Sequence, residues 1–316
     1  MICKCLLTGV HSALLLLTCL GGIAISLPAE SPVFSTSSVN DLAIKNNQKI
    51  AKSITVKILS QEFLGTGIII NKQVNKQNQI YTIITNNHVL MAVDKPGYQI
   101  QTPDGKIYPA KIPQAVKFGK NDLGILQFTS NQNYQVTKIG NPLTLTVGEQ
   151  LFANGFSNED TINETSPEKM PEKRIFTQGY LTLILDKPLE GGYQIGYTND
   201  IYKGMSGGPL LNMQGELVGI NGVHKNPLWE VTELYADGSE PCQPIQDIIP
   251  RNSWAIPITT VEKIAPQLVK IPASNSGKKP LAAGELNNST ILQMREKAES
   301  VKKCILPKKY QQKMKK

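Results

Sequence analysis

Short runs rich in Ile, Val, Thr and Tyr recur roughly every 10–20 residues through the middle of this chain, with Gly, Asn and Pro between them. The clearest are Ser53–Leu59, Gly67–Ile70, Ile80–Thr85, Gly124–Phe128, Ile175–Leu185 and Leu217–Ile220. No long helical pattern separates one run from the next. Parallel strands need a crossover of a dozen or more residues, usually a helix, so this spacing argues against βαβ units. It favours an all-β sandwich or barrel.

Two helices are expected, both late. Thr259 and Glu262 have capping-box spacing, and Val261, Ile264 and Leu268 follow at helical intervals, with Pro266 set to shorten or kink the turn. A second stripe (Ile291, Met294, Ala298, Val301, Ile305) starts near Thr290 and is closed by Pro307. Ser274–Gly277 reads as a joint ahead of it.

The 316 residues carry 33 Lys+Arg against 25 Asp+Glu, a net charge of +8. Residues 271–316 hold eleven of the basic and three of the acidic side chains, which accounts for the whole excess. A nucleic-acid-binding domain needs its basic face on the folded part, so none is expected. The basic tail, 290–316 in particular, is either a solvated amphipathic segment or a contact for an anionic surface. A hydrophobic fraction of 40% excludes a mainly disordered chain.

Residues 1–26 read as an export signal: Lys4, an apolar stretch from Ala13 to Ile25, then Ala24 and Ser26 in a small-x-small pattern. A retained anchor, or acylation of Cys19, is the alternative. Residues 27–44, Ser- and Pro-rich at their start, are expected to be a linker, 45–270 the folded domain and 271–316 a partly helical tail. The expected location is periplasmic or extracellular. Loss of the signal leaves only Cys242 and Cys304, either one disulfide or two independent thiols. Their spacing matches no metal site, and neither metal nor cofactor is expected.

Beyond the signal only two histidines remain, His88 and His224. His88 follows the run ending at Thr85, Asp122 comes 34 residues later at the head of another run, and Ser206 lies 84 residues further in Gly204-Met205-Ser206-Gly207-Gly208-Pro209. Acyl transfer needs a hydroxyl, a base to deprotonate it and a carboxylate to fix the base's tautomer. The glycines let the loop turn so that the Gly204 and Ser206 N–H groups converge on an oxyanion. Gly204-x-Ser206-x-Gly208 also fits the α/β-hydrolase elbow. That motif needs a helix after the serine and the acid and histidine downstream, whereas here strand, turn and strand follow.

These segments resemble the bacterial chymotrypsin-like (trypsin-fold) serine proteases, nearest the HtrA-like and glutamyl-endopeptidase-like members. Five match in order: Gly65–Ile70, Thr85–Leu90, Asn121–Leu126, Gly204–Asn221 and Trp254–Ile258. The resemblance implies two six-stranded antiparallel β-barrels with a cleft between them. His88 is then the general base, Asp122 its orienting carboxylate, Ser206 the nucleophile, and Gly204 and Ser206 the oxyanion donors of an exported serine endopeptidase acting on proteins or peptides. The competing expectation is a non-catalytic peptide-binding or assembly protein of the same fold that docks through its basic tail. Met205 departs from the usual Asp or Asn before the nucleophile, so a newly freed N-terminus has no acceptor there. The 46 residues after Lys270 are too few for a PDZ domain, so none is expected. Asp200, six residues before Ser206, stands at the offset of trypsin's pocket carboxylate. Asn221 stands where glutamyl endopeptidases keep a pocket histidine, with His224 three residues beyond. All three are candidate substrate-binding residues.

Overall fold

Several strands of this chain are apolar at consecutive positions, which a strand tolerates only when both of its faces are covered. The computed structural model, which describes residues 36–60, 62–74, 78–92, 97–157, 173–225, 234–272 and 288–305, shows what covers them. Strands β1 (Thr55–Ser60), β2 (Glu62–Val74), β3 (Gln79–Thr85), β4 (Gln99–Gln101), β5 (Ile107–Lys111) and β6 (Gly124–Ser130) close one barrel in the order β1-β2-β3-β6-β5-β4. Strands β7 (Gln150–Ser157), β8 (Lys173–Ile184), β9 (Ile195–Tyr197), β10 (Pro209–Leu211), β11 (Leu217–Val223) and β12 (Ser253–Pro257) close a second as β10-β11-β12-β9-β8-β7. The pairings between these strands are antiparallel, as expected for the all-β class.

The alternation is legible residue by residue. Ile58, Ile69, Ile83 and Leu126 fill the first barrel, and Leu151, Leu181, Ile195 and Val218 the second. Their neighbours Ile68, Ile70, Ile84 and Ile125 point the other way and join Phe152, Leu211, Ile220 and Trp254 in one cluster that spans both barrels. Burying a side chain of this size contributes about 1.5–3 kcal/mol, so the inter-barrel seam is a core in its own right.

The expected linker over 27–44 is overturned from residue 36 onward, where helix α1 (Thr36–Ile54) begins. Its Ala43, Ile44, Ile50, Ala51 and Ile54 pack into the spanning cluster, and Asn47 Nδ2 donates to the Met213 carbonyl at 3.1 Å. This tertiary packing outweighs the modest helix propensity of the Ser, Asn and Thr residues at its start. The run expected from Ser53 consequently starts at Thr55, after the helix. Four further α-helices follow among the described residues: α2 (Asn87–Met91), α3 (Gln243–Gln246), α4 (Ile258–Ile264) and α5 (Asn288–Ile305). Helix α4 stops ahead of Pro266, but the anticipated cap does not form. Its N-cap is Pro257, and Glu262 instead accepts from the Ile271 N–H at 2.7 Å.

Helix α5 is part of the fold. Its Ala298 and Val301 are buried, and Cys304 pairs with Cys242 at the start of α3, with Cα atoms 6.4 Å apart. That distance lies within the range a disulfide spans. The expected export signal, the linker up to residue 35, the joint at 274–277, Pro307 and the end of the tail lie outside the described residues.

The bridge closes a 62-residue separation, a length for which a disulfide typically contributes about 2–4 kcal/mol. Cys304→Ser is therefore expected to lower the thermal midpoint and free α5 from the second barrel. Calorimetry and hydrogen exchange over 288–305 measure both effects, and dithiothreitol on the unmodified chain should reproduce them.

Candidate active site

Strand register brings the first two candidate residues together. Thr85, the last residue of β3, pairs with Gly124, the first of β6, so the chain leaving β3 and the chain entering β6 run side by side. Helix α2 begins at once and carries His88, while Asp122 sits two residues before β6. Asp122 Oδ2 accepts from His88 Nδ1 at 2.6 Å and its Oδ1 accepts from the His88 backbone N–H at 2.9 Å. Asn86 Nδ2 donates to the Asp122 carbonyl at 2.8 Å. The imidazole is therefore aimed by a two-point clamp. His88 is about half exposed, whereas the carboxylate is largely covered.

The second barrel closes over that carboxylate. Asp122 N–H donates to the Gly191 carbonyl at 2.8 Å, and the Tyr193 hydroxyl donates to Asp122 Oδ2 at 2.5 Å. Burial by itself would raise the carboxyl pKa. The hydrogen bonds and charge of His88, with the Tyr193 hydroxyl, win and hold it below the usual carboxylate range. Tyr193 is a site residue that motif reading passed over; its trace in the sequence is the Gly191-Gly192-Tyr193 turn.

Ser206 lies on the loop between β9 and β10. Thr66 of β2 grips that loop from the first barrel: its hydroxyl donates to the Gly204 carbonyl at 2.7 Å and its N–H to the Ser206 carbonyl at 3.1 Å. Gly207 has φ +82°, and a Cβ there would overlap the Thr85 hydroxyl and the Thr66 carbonyl, so only glycine fits. This contact sets the Ser206 loop against the end of β3, three residues ahead of His88. The position a side chain on Gly65 would take lies 2.9 Å from Val89 and 3.5 Å from the Ser206 carbonyl. The Ser206 hydroxyl itself donates to the Gly222 carbonyl at 3.3 Å. Among the described residues, no group accepts from the Gly204 or Ser206 N–H.

The three specificity candidates fall in different places. Asn221 is fully buried; its Oδ1 accepts from the Tyr197 hydroxyl at 2.8 Å and its Nδ2 donates to the Pro209 carbonyl at 3.1 Å. It braces the second barrel and does not offer its amide to a substrate. Asp200 is more than half exposed and ion-paired with Lys225 at 2.5 Å. A pocket-floor carboxylate waiting for a cation would be neither. His224 is half-buried, with Nδ1 3.1 Å from the Lys225 carbonyl.

Comparison with known proteins agrees with this fold. Residues 65–220 match the trypsin-like peptidase domain. A probable periplasmic serine endoprotease DegP-like from Buchnera aphidicola subsp. Schizaphis graminum is 28% identical over 228 residues, 71% of this chain and 39% of the relative. The periplasmic serine endoprotease DegP of Escherichia coli K12 is 25% identical over 239 residues, 75% of this chain and 42% of its own. The serine protease Do-like HtrA of Bacillus subtilis is 30% identical over 165 residues, half of this chain and 32% of the relative. The chain thus spans about two fifths or less of the length of these relatives. With its two closed six-stranded barrels, it carries a trypsin-like peptidase domain and is a homologue of the DegP and HtrA serine proteases.

Proposed function

We propose that the chain is an exported serine endopeptidase that hydrolyses peptide bonds through an acyl-enzyme on Ser206, with His88 as general base and Asp122 as its orienting carboxylate. The observation that carries this reading is the two-point clamp of Asp122 on His88, set beside a serine loop whose Gly204 and Ser206 N–H groups have no acceptor among the described residues. A fixed donor pair aimed at developing charge is the largest single term in acyl transfer, and removing one such donor typically costs about 2.7–4 kcal/mol of barrier.

The steps follow from the donors and acceptors. The Ser206 hydroxyl leaves the Gly222 carbonyl by rotation about its Cα–Cβ bond and gives its proton to His88 Nε2 as Oγ bonds to the scissile carbonyl carbon. The carbonyl π pair moves to oxygen, where the Gly204 and Ser206 N–H groups receive it. Collapse returns that pair, breaks the C–N bond, and His88 gives the proton to the leaving amine. Water repeats the sequence, with His88 taking its proton, and releases the acid and Ser206. Asp122 keeps Nδ1 protonated throughout, so Nε2 is the basic nitrogen.

Substrates in this reading are proteins or peptides. A Lys or Arg side chain at the cleaved position would have to displace Lys225 to reach Asp200. Export is supported by the pattern in residues 1–26, by the periplasmic relatives and by the Cys242–Cys304 bridge, which persists in an oxidising compartment.

A fluorophosphonate probe should label Ser206, and labelling should vanish in Ser206→Ala. His88→Ala should lose rapid labelling while keeping its thermal transition. Mass spectrometry of the labelled peptide and a melting curve check both; an unlabelled wild-type chain refutes the reading. Asp122→Asn should slow labelling by about 10⁴-fold, because the amide no longer enforces the tautomer. The sign for acid follows from the lowered Asp122 pKa. Its contribution to stability is present above the ordinary carboxylate range and is lost only as pH falls through the lower folded value. The fold is thus expected to hold from neutral pH down to the ordinary carboxylate range, so that any activity lost above that range is lost without unfolding, which parallel rate and circular-dichroism titrations would show.

A further inference from the structure

Besides the two donors of His88, the Asp122 carboxylate has a third that the proposed chemistry does not use. Tyr193 comes from the second barrel, just ahead of β9, and is itself buried. Its hydroxyl donates to Oδ2, the oxygen that also accepts from His88 Nδ1, at 2.5 Å against 2.6 Å. Two short donors on one oxygen divide the same negative charge between them.

The place for that hydroxyl is made by the absence of a side chain elsewhere. A Cβ on Gly222 of β11 would overlap the Tyr193 hydroxyl and stand 2.5 Å from Cε1 and 2.7 Å from Cζ. Any L side chain at 222 would therefore expel the phenol from the carboxylate. The same residue's carbonyl accepts from the Ser206 hydroxyl. Gly222 thus borders both ends of the constellation, with its carbonyl at the serine and its empty side-chain position at the phenol that donates to the acid. The turn that precedes Tyr193 is tied to the same residue, since the Gly191 carbonyl accepts from the Asp122 N–H.

We propose that Tyr193 is a positioning residue, a donor from the second barrel that locks the Asp122 carboxylate in register with His88 and tempers the hold of that carboxylate on the imidazole. Gly222 is its obligatory partner. The role rests on the reading of Asp122 as the orienting carboxylate given above. Among the described residues, the titratable groups that act on Asp122 are His88 from α2 and Tyr193, and Gly222 of β11 faces the Tyr193 ring.

The consequence has a sign. With the phenol O–H removed, Oδ2 serves His88 alone and favours the charged imidazolium more strongly, so the His88 titration moves to higher pH. The carboxylate also gains freedom to rotate, and the ring loses part of its aim. In Tyr193→Phe the His88 midpoint, followed by NMR of ring-labelled histidine in the full chain, is expected to rise by about one pH unit. Fluorophosphonate labelling above that midpoint should slow about tenfold, with the melting temperature little changed. Gly222→Ala, which keeps the phenol but fills its place, should move the midpoint the same way. A ring that merely fills space would leave the titration where it is. An unchanged His88 midpoint in Tyr193→Phe overturns the proposal, as does an unchanged labelling rate. The NMR readout needs no turnover, so a wild-type chain that fails to label would sink the protease reading while the coupling of Tyr193 to His88 is still measured.

Discussion

Thr66 is the point at which the two barrels become one site. It is wholly buried in β2, yet its polar atoms are all engaged: the hydroxyl donates to the Gly204 carbonyl and accepts from the Phe156 N–H at 3.0 Å, the N–H holds the Ser206 carbonyl, and the carbonyl accepts from the Thr85 hydroxyl at 2.7 Å. One residue of the first barrel therefore sets the serine loop of the second and ties it to the strand end that leads into His88. Leaving any of these buried groups unpaired would cost about 1–3 kcal/mol, so the arrangement is held as a unit. The apolar seam behind it, with Ile68 and Ile70 on the same strand, removes water and strengthens each of those bonds.

Given that joint, the rest of the site is register. Antiparallel pairing of β3 with β6 delivers His88 and Asp122 to one another across 34 residues of chain, and a slip of one residue would turn every side chain on those strands to the other face. The apolar alternation of Ile83, Ile84, Ile125 and Leu126 forbids that slip, because Ile83 and Leu126 are committed to the first barrel's core and Ile84 and Ile125 to the cluster that spans both barrels. The geometry of the His88–Asp122 pair and core packing are here the same constraint. The first barrel holds His88 and Asp122, the second holds Ser206, and Gly191 and Tyr193 reach back from the second barrel to close the carboxylate in.

What could be read from the sequence divides along the same line. The strands with dense β-branched runs, such as β3 and β6, were visible because their signal is local. So were the constellation's residue types and its order. Strand β7 was not: Gln150, Asn154 and Gly155 look like turn residues, yet the strand is buried throughout. The reasons are tertiary. Asn154 Nδ2 donates to the Thr55 hydroxyl across the seam at 2.9 Å, and a Cβ on Gly155 would come within 2.8 Å of Met205. Helix α1 was hidden in the same way, since its Ser- and Asn-rich start says linker while its apolar stripe acts only once the spanning cluster exists to receive it. Tyr193 was invisible because a single aromatic in a glycine turn carries no periodic signal. Asn221 was misplaced for the opposite reason: its offset resembled a pocket position, but strand β11 turns it inward.

Met205 shows how the serine loop keeps its shape without the salt bridge that a freed N-terminus provides in digestive enzymes. The side chain is fully buried in the second barrel's core, beside Ile201 and Leu210, and its backbone N–H donates to the Tyr202 carbonyl at 2.9 Å. Gly155 on β7 and Gly208 in the loop are the close-approach positions that let it in, since a Cβ on either would strike Met205 or the backbone beside it. An acidic residue here would be a charge in an apolar core and would need a cation to neutralise it. With methionine the loop is held by apolar burial, an interaction available as soon as the barrel closes. The orientation of Ser206 is then a property of the folded second barrel, and the grip of Thr66 aligns it with the first.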